Sequence, residues 1–288
     1  MIQNGRLCVW TFAIDEQISQ HVKVRVYAPP NAQKNLPLVL FCHGGGWQAG
    51  NLDTEDHLCR VVCARVRAVI VSIQYRLAPE HKFPIPIDDC YTAYRWAQQG
   101  AVKLGADVNR CIVWGGSAGG GLAIALTYRI VASKQPVAGL VVMAAFALHP
   151  DAVPEKYKSL HTSYIDNAGE IPVVKVADCH EAWAAAGAGP PYADHSWFPE
   201  TGGADALRGF PPTYIHNTDK EAMRDDGRVL EAELNDAGIA VKRDVQADYP
   251  HYFWCFPIEK GGAAFRDMLV NGFGWVLDQS KTRRQASI

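Results

Sequence analysis

Ser117 stands at the centre of Gly115-Gly116-Ser117-Ala118-Gly119-Gly120, between the apolar run Cys111-Ile112-Val113-Trp114 and the segment Leu122-Ala123-Ile124-Ala125-Leu126. The first run reads as a short buried strand and the second segment as a helix, so the serine falls on the turn between them. Upstream, His43-Gly44-Gly45-Gly46-Trp47 follows another apolar run, Leu38 to Cys42. The two motifs stand in the order required of a serine nucleophile and the glycine loop that stabilises its oxyanion. Either pattern alone is weak; the pair, in this strand and helix context, is specific.

The rest of the chain supplies the sheet that such a turn needs. Leu7 to Ile14 and His21 to Ala28 read as an antiparallel hairpin, the second strand by the alternation of Val22, Val24 and Val26 with His21, Lys23 and Arg25. Leu38 to Cys42 and Ala68 to Ile73 are then continuous apolar runs, as parallel strands covered on both faces should be, with a helical stretch from about Thr54 to Arg67 between them. A helix from about Asp88 to Gln99, the strand at Cys111, the helix after Ser117 and a strand over Ala138 to Ala144 continue the alternation. The expected fold class is α/β, a doubly wound, mostly parallel sheet.

From about Ala147 to Phe210 the pattern gives way to a stretch rich in Ala, Gly, Pro and aromatic residues. A segment that long without strand period needs a function. Because ligands bind outside the carboxyl ends of the strands, an insertion at this point can fold over the serine as a lid within a single domain. Order returns with a strand over Thr213 to Asn217, a helix over Arg228 to Ala237, a last strand over Ala240 to Val245 and a closing helix over Ala263 to Leu277. Residues after Gln279 read as a frayed tail.

Composition narrows the partners. With 28 basic and 30 acidic residues in 288, the formal charge of -2 offers no footprint for nucleic acid. No apolar run reaches the roughly 18 residues of a membrane helix, and Met1-Ile2-Gln3-Asn4-Gly5-Arg6 lacks the charged-then-apolar order of a secretory signal. A cytoplasmic location and a small-molecule partner are expected. The eight cysteines are scattered through presumed strands and helices, as reduced core residues would be. Cys59 and Cys63 lie one helical turn apart near His57, but no second Cys/His pair completes a zinc set, so neither metal nor cofactor is expected.

A serine hydroxyl is a poor nucleophile until a histidine takes its proton and an acid fixes the imidazole tautomer. With a G-x-S-x-G turn and glycine loop that resemble those of α/β-hydrolases, the acid and then the histidine are expected after the serine, in loops after the last two strands. His251 occupies that place, with His216 the other candidate. Asp219, Glu221, Asp225 and Asp226 crowd the acid loop.

The glycine loop, Tyr75-Arg76-Leu77-Ala78-Pro79-Glu80 with Phe83-Pro84, and the serine motif together resemble the hormone-sensitive-lipase-like carboxylesterases of the α/β-hydrolase fold, over about Leu38 to Phe256. That family carries a D-x-x-R-D-x-G-like stretch whose first acid serves the triad. Glu221-Ala222-Met223-Arg224-Asp225-Asp226-Gly227 matches it with glutamate, so the resemblance makes Glu221 the acid and leaves Asp219 as the alternative. Asp225 and Asp226 read as helix-start carboxylates favoured by the dipole. The resemblance assigns Gly45, Gly46 and Ala118 as oxyanion donors, with Gly44 shaping the turn, His43 structural and Tyr75 to Glu80 a scaffold for that loop. Two departures stand out. His251-Tyr252-Phe253 has Tyr where the family has Gly, which narrows the pocket, and Gly116 stands where the family has an Asp that braces neighbouring loops.

Trp47, Tyr164, Trp183, Trp197, Phe198, Tyr252 and Trp254 flank the expected pocket in sequence and suggest an apolar, aromatic substrate. The resemblance implies hydrolysis of a carboxylic ester, lactone or thioester through an acyl-enzyme. The glycine loop also resembles the H-G-G-x-W motif of arylformamidases, and the altered Gly116 with the aromatic insertion leaves a tailoring reaction (dehydration, cyclisation or acyl transfer) as an alternative. A ligand-binding role, as in the plant gibberellin receptors, is a further one that His251 argues against. An edge strand or the closing helix offers a surface for a homodimer without requiring one.

Overall fold

The computed structural model describes residues 11–30, 34–169, 172–188 and 196–285, with a two-residue ladder pairing Ile2–Gln3 with Arg6–Leu7. Eight strands form the main sheet: β1 (Phe12–Gln17), β2 (Lys23–Ala28), β3 (Leu36–Cys42), β4 (Val69–Gln74), β5 (Ala106–Gly116), β6 (Gly139–Met143), β7 (Thr213–Lys220) and β8 (Val241–Pro250). They lie in the order β8-β7-β6-β5-β3-β4-β2-β1. Strands β3 to β8 run parallel, and β2 is antiparallel to both β4 and β1. Six helices carry the connections: α1 (Asp56–Val62), α2 (Ile85–Gly100), α3 (Ala118–Ala132), α4 (Val176–Ala185), α5 (Arg224–Asp236) and α6 (Glu259–Gln285).

Helices on both faces explain the unbroken apolar runs. Every residue of β3 and β6 is buried, and successive side chains enter opposite layers. Leu38 and Leu40 pack with Ile87, Leu122 and Leu230 of α2, α3 and α5. Val39 and Phe41 pack with Leu58 of α1 and Phe265 and Phe273 of α6. Full burial of each such side chain contributes about 1.5–3 kcal/mol, so a one-residue slip of register would be strongly disfavoured.

Several boundaries differ from the sequence reading: α5 begins at Arg224 rather than Arg228, β8 continues to Pro250 rather than Val245, and β5 begins at Ala106. The first hairpin strand begins at Phe12 and runs to Gln17, where Leu7 to Ile14 was expected, and residues 8–10 lie outside the described residues. Phe12 and Ile14 are 70% and 68% exposed, so apolar content marks this edge strand poorly. The expected tail after Gln279 is instead the end of α6, which continues to Gln285. Arg283 holds it by donating from Nη1 to the carbonyl of Phe210 at 2.7 Å, and Ser280 is buried beneath.

Between β6 and β7, the described residues contain short helical turns at Pro150–Ala152, Glu155–Leu160, Ser163–Asp166, Pro199–Gly202 and Gly203–Ala206, besides α4, and no strand. This segment leaves the sheet at the same end as Ser117.

Candidate active site

Ser117 links β5 to α3 with φ 51° and ψ −128°, a backbone geometry that costs a non-glycine residue about 1–3 kcal/mol. Its own hydrogen bonds hold it there. The N–H donates to Met143 O at 2.9 Å, and the carbonyl accepts from the N–H groups of Gly120, Gly121 and Phe146. The flanking glycines follow from crowding: a Cβ on Gly115 would lie 2.1 Å from Gly119 O, and one on Gly119 would lie 2.1 Å from Cys42 O. The spacing of the motif is therefore the spacing of three backbones that meet at one turn.

His251 follows β8 and reaches back to this turn. Its Nε2 lies 2.9 Å from Ser117 Oγ, and its Nδ1 lies 2.5 Å from Glu221 Oε2. With the imidazole proton on Nδ1, donated to the carboxylate, Nε2 is free to accept from the serine hydroxyl. Glu221 follows β7, is fully buried, and accepts the Thr218 N–H through Oε1 at 3.0 Å, which fixes the carboxylate plane. Asp219 points elsewhere: its Oδ1 accepts the Asp248 N–H at 2.7 Å. His216 lies buried in β7, edge-on to Phe265 and Trp254, and bonds neither Ser117 nor Glu221. Burial drives its imidazole down to about 4.

The glycine loop is held by the stretch expected to be its scaffold. Tyr75 stacks on His43 at 4.3 Å and donates its hydroxyl to His43 O at 2.7 Å, while the Ala78 N–H donates to Trp47 O at 2.8 Å. Arg76 makes a bidentate pair with Asp89 at 2.7 and 2.8 Å. His43 is buried, its Nδ1 donates to Gly44 O, and burial lowers its pKa to about 4, so it stays neutral in a structural place. Gly45 has φ +120°, which only glycine adopts readily. The Gly44 N–H donates to Glu55 Oε2 at 3.2 Å. Among the described residues the N–H groups of Gly45 and Gly46 have no acceptor, and Ala118 opens α3, where helix N–H groups are unsatisfied. Ala118 lies at the positive end of the α3 dipole.

The aromatic residues expected around the pocket do not share one place. Trp47 and Trp183, at 0% and 2% exposure, pack with Phe146 and Phe198 into a closed cluster, and Trp47 Nε1 donates to Ala118 O at 2.9 Å. Tyr164, also buried, stacks on His161, and Trp197 on Phe83. Trp254 stacks flat on Phe265 of α6 at 4.2 Å, on the other layer of the molecule. Tyr252 stands beside the glycine loop, with its hydroxyl on Glu55.

Asp225 and Asp226 do lie in the first turn of α5, but both carboxylates also reach the segment between β6 and β7. Asp225 Oδ2 accepts the N–H groups of Thr162 and Ser163, and Asp226 Oδ2 those of Ala147 and Leu148. Asp226 Oδ1 meets His161 Nε2 at 2.9 Å. α4 also lies against the glycine loop: a Cβ on Gly46 would sit 3.7 Å from that of Ala182, and the Phe83 N–H donates to Ala186 O. Sequence reasoning missed Glu55 and these tethers. Glu55 sits in Asp53-Thr54-Glu55-Asp56, where helix-start acids are unremarkable, so no local signal separates it. Among the described residues, no three His, Cys, Asp or Glu side chains converge as a metal site, and no helix is long and apolar enough to cross a membrane.

The family described as the alpha/beta hydrolase fold matches residues 39–255. The chain is 34% identical over 269 residues to a versiconal hemiacetal acetate esterase of Dothistroma septosporum, covering 92% of this chain and 81% of that one. It is 35% identical over 248 residues to the carboxylesterase NlhH of Mycobacterium tuberculosis, covering 84% and 74%. The solved structure of EstE1, a thermostable carboxylesterase cloned from a metagenomic library, superposes with a TM-score of 0.81 at 26% identity, covering 94% and 89%. The chain belongs to the α/β-hydrolase-fold family. Within it, the chain is a carboxylic ester hydrolase.

Proposed function

We propose that the protein cleaves a short-chain acyl ester of a small apolar alcohol through an acyl-enzyme on Ser117. Ser117 Oγ attacks the carbonyl carbon as its proton passes to His251 Nε2, and Glu221 stabilises the resulting imidazolium. The N–H groups of Gly45, Gly46 and Ala118 receive the oxyanion, a contribution of about 3–4 kcal/mol per donor in comparable sites. Collapse expels the alcohol with the proton from His251. Water, deprotonated by the same histidine, then releases the acid and restores the serine.

The observation that carries this reading is the continuous array from Ser117 Oγ through His251 to Glu221, at 2.9 and 2.5 Å. The short acyl group is carried over from the Dothistroma relative, which is named for an acetate ester. The segment over residues 147–210 is read as a lid, supported by α4 lying on the glycine loop and by the Asp225 and Asp226 tethers. We also read the location as cytoplasmic, from the scattering of the eight cysteines through strands and helices, as reduced core residues would be.

The test is a substrate series, aryl acetate, butyrate, octanoate and formamide, with products identified by mass spectrometry. The reading expects kcat/KM to be highest for the acetate and the products to be the acid and the free phenol. A preference for the formamide would move the protein to amide hydrolysis, and cyclised or acyl-transferred products would move it to a tailoring reaction.

A further inference from the structure

Glu55 is a buried carboxylate, 4% exposed, that lies outside the array of Ser117, His251 and Glu221. Each of its oxygens has one neutral donor: Oε1 takes the Tyr252 hydroxyl at 2.6 Å, and Oε2 takes the Gly44 N–H at 3.2 Å. Among the described residues no cation pairs with it. Burying a carboxylate without a counter-ion is unfavourable, and burial, opposed by these two hydrogen bonds, pushes its carboxyl up to about 7. A group in such a place calls for a role.

Tyr252 is unusual in its own right. It has φ +55°, a left-handed backbone that a bulky residue adopts at a cost of about 1–3 kcal/mol. Its hydroxyl threads between two glycines: a Cβ on Gly116 would lie 2.2 Å from that oxygen, and one on Gly44 would lie 2.5 Å from it. The phenol thus touches the glycine loop and the strand end just before Ser117, and it is joined through the chain to His251. The hydroxyl at its end is fixed by Glu55, which also holds the loop by the Gly44 N–H.

We propose that Glu55 and Tyr252 form a strut that fixes the glycine loop relative to His251, and that both are positioning residues for the reaction at Ser117. The strut rests on the hydrolase reading above. Its physical basis is preorganisation: oxyanion donors and base must be in place before charge develops, and a displacement of about 1 Å can lower a rate by about a hundredfold. Both strut residues touch the machinery without touching the reacting atoms, so their loss should fall on kcat more than on KM.

The experiment measures kcat and KM on 4-nitrophenyl acetate, with melting temperatures, for the parent, Tyr252→Phe, Glu55→Ala, Glu55→Gln, Glu55→Ala/Tyr252→Phe and Ser117→Ala. Tyr252→Phe and Glu55→Ala are expected to lower kcat about tenfold with KM within about twofold. The double variant should lose no more than the worse single one, because one strut is removed once. Glu55→Gln should recover to within about threefold of the parent, since its amide oxygen accepts from Gly44 and its NH2 donates to the phenol oxygen. If Glu55→Ala fails to fold, Tyr252→Phe and Glu55→Gln carry the test. Parent-level kcat in folded Tyr252→Phe, or losses that multiply in the double variant, would overturn the strut while an inactive Ser117→Ala left the hydrolase reading standing. An active Ser117→Ala would bring down both.

Discussion

Around Ser117 the chain is held by its backbone, with the serine N–H on Met143 and its carbonyl taking three N–H groups. The segment from Ala147 to Ser163 is held by side chains, through two adjacent carboxylates at the start of α5 that gather four N–H groups and His161. The first arrangement depends on glycine spacing and tolerates no added Cβ; the second depends on Asp225 and Asp226, acids of a kind common at helix starts. Geometry made by backbone approach leaves a local pattern in the sequence. Geometry made by long-range side-chain bonds leaves almost none.

The largest effect should come from Glu221, which follows β7, and not from Asp219 near the end of that strand. Glu221→Ala should lower kcat by about 10³–10⁴-fold, since the imidazole loses the group that fixes its tautomer, whereas Asp219→Ala should stay within about twofold. Steady-state kinetics on one aryl acetate decides it, and the reverse order would move the acid to Asp219.

Next comes Asp226→Ala, which leaves the N–H groups of Ala147 and Leu148 and the ring of His161 without their partner. Removing one member of a buried charged network costs about 3–5 kcal/mol, to be read from urea unfolding. Hydrogen exchange sharpens the comparison: protection should fall over residues 147–166 and persist around the Ser117 turn. Equal loss in both regions would mean that they are not held separately.

The smallest effect is a pH dependence. Burial disfavours charge on His161, but its bond to Asp226, with the charges of Asp226 and Asp225, outweighs this and holds the imidazole above its ordinary range. A histidine raised in the folded state contributes stability that is complete below its unfolded value of about 6.5 and is lost as pH rises through the folded value. The stability gap between the parent and His161→Gln should therefore be wider at pH 6 than at pH 9, by about 1 kcal/mol per unit of upward displacement. A gap that is flat, or that widens with pH, would show that the pair is not charged.

The same contrast explains what the sequence disclosed. The strands from Leu36 to Met143 were legible because both faces are covered, and Ser117, Glu221 and His251, which the structure brings together, follow β5, β7 and β8 in chain order. The edge strand was misplaced because Phe12 and Ile14 face solvent, and the end of α6 because its anchor is the carbonyl of Phe210, far away in the chain. Glu55 and Tyr252 are 197 positions apart, and neither carries a motif that names the other. The departures at Gly116 and Tyr252 were visible, but their joint meaning, one phenol filling the space beside both Gly44 and Gly116, needed coordinates.

The most direct test of the central claim is intact-mass analysis after fluorophosphonate treatment of the folded parent, Ser117→Ala, Glu221→Ala and Asp219→Ala. The account predicts a single adduct on the parent, none on Ser117→Ala, slowed labelling of Glu221→Ala and parent-like labelling of Asp219→Ala. An unlabelled parent, or an adduct that survives Ser117→Ala, would contradict it.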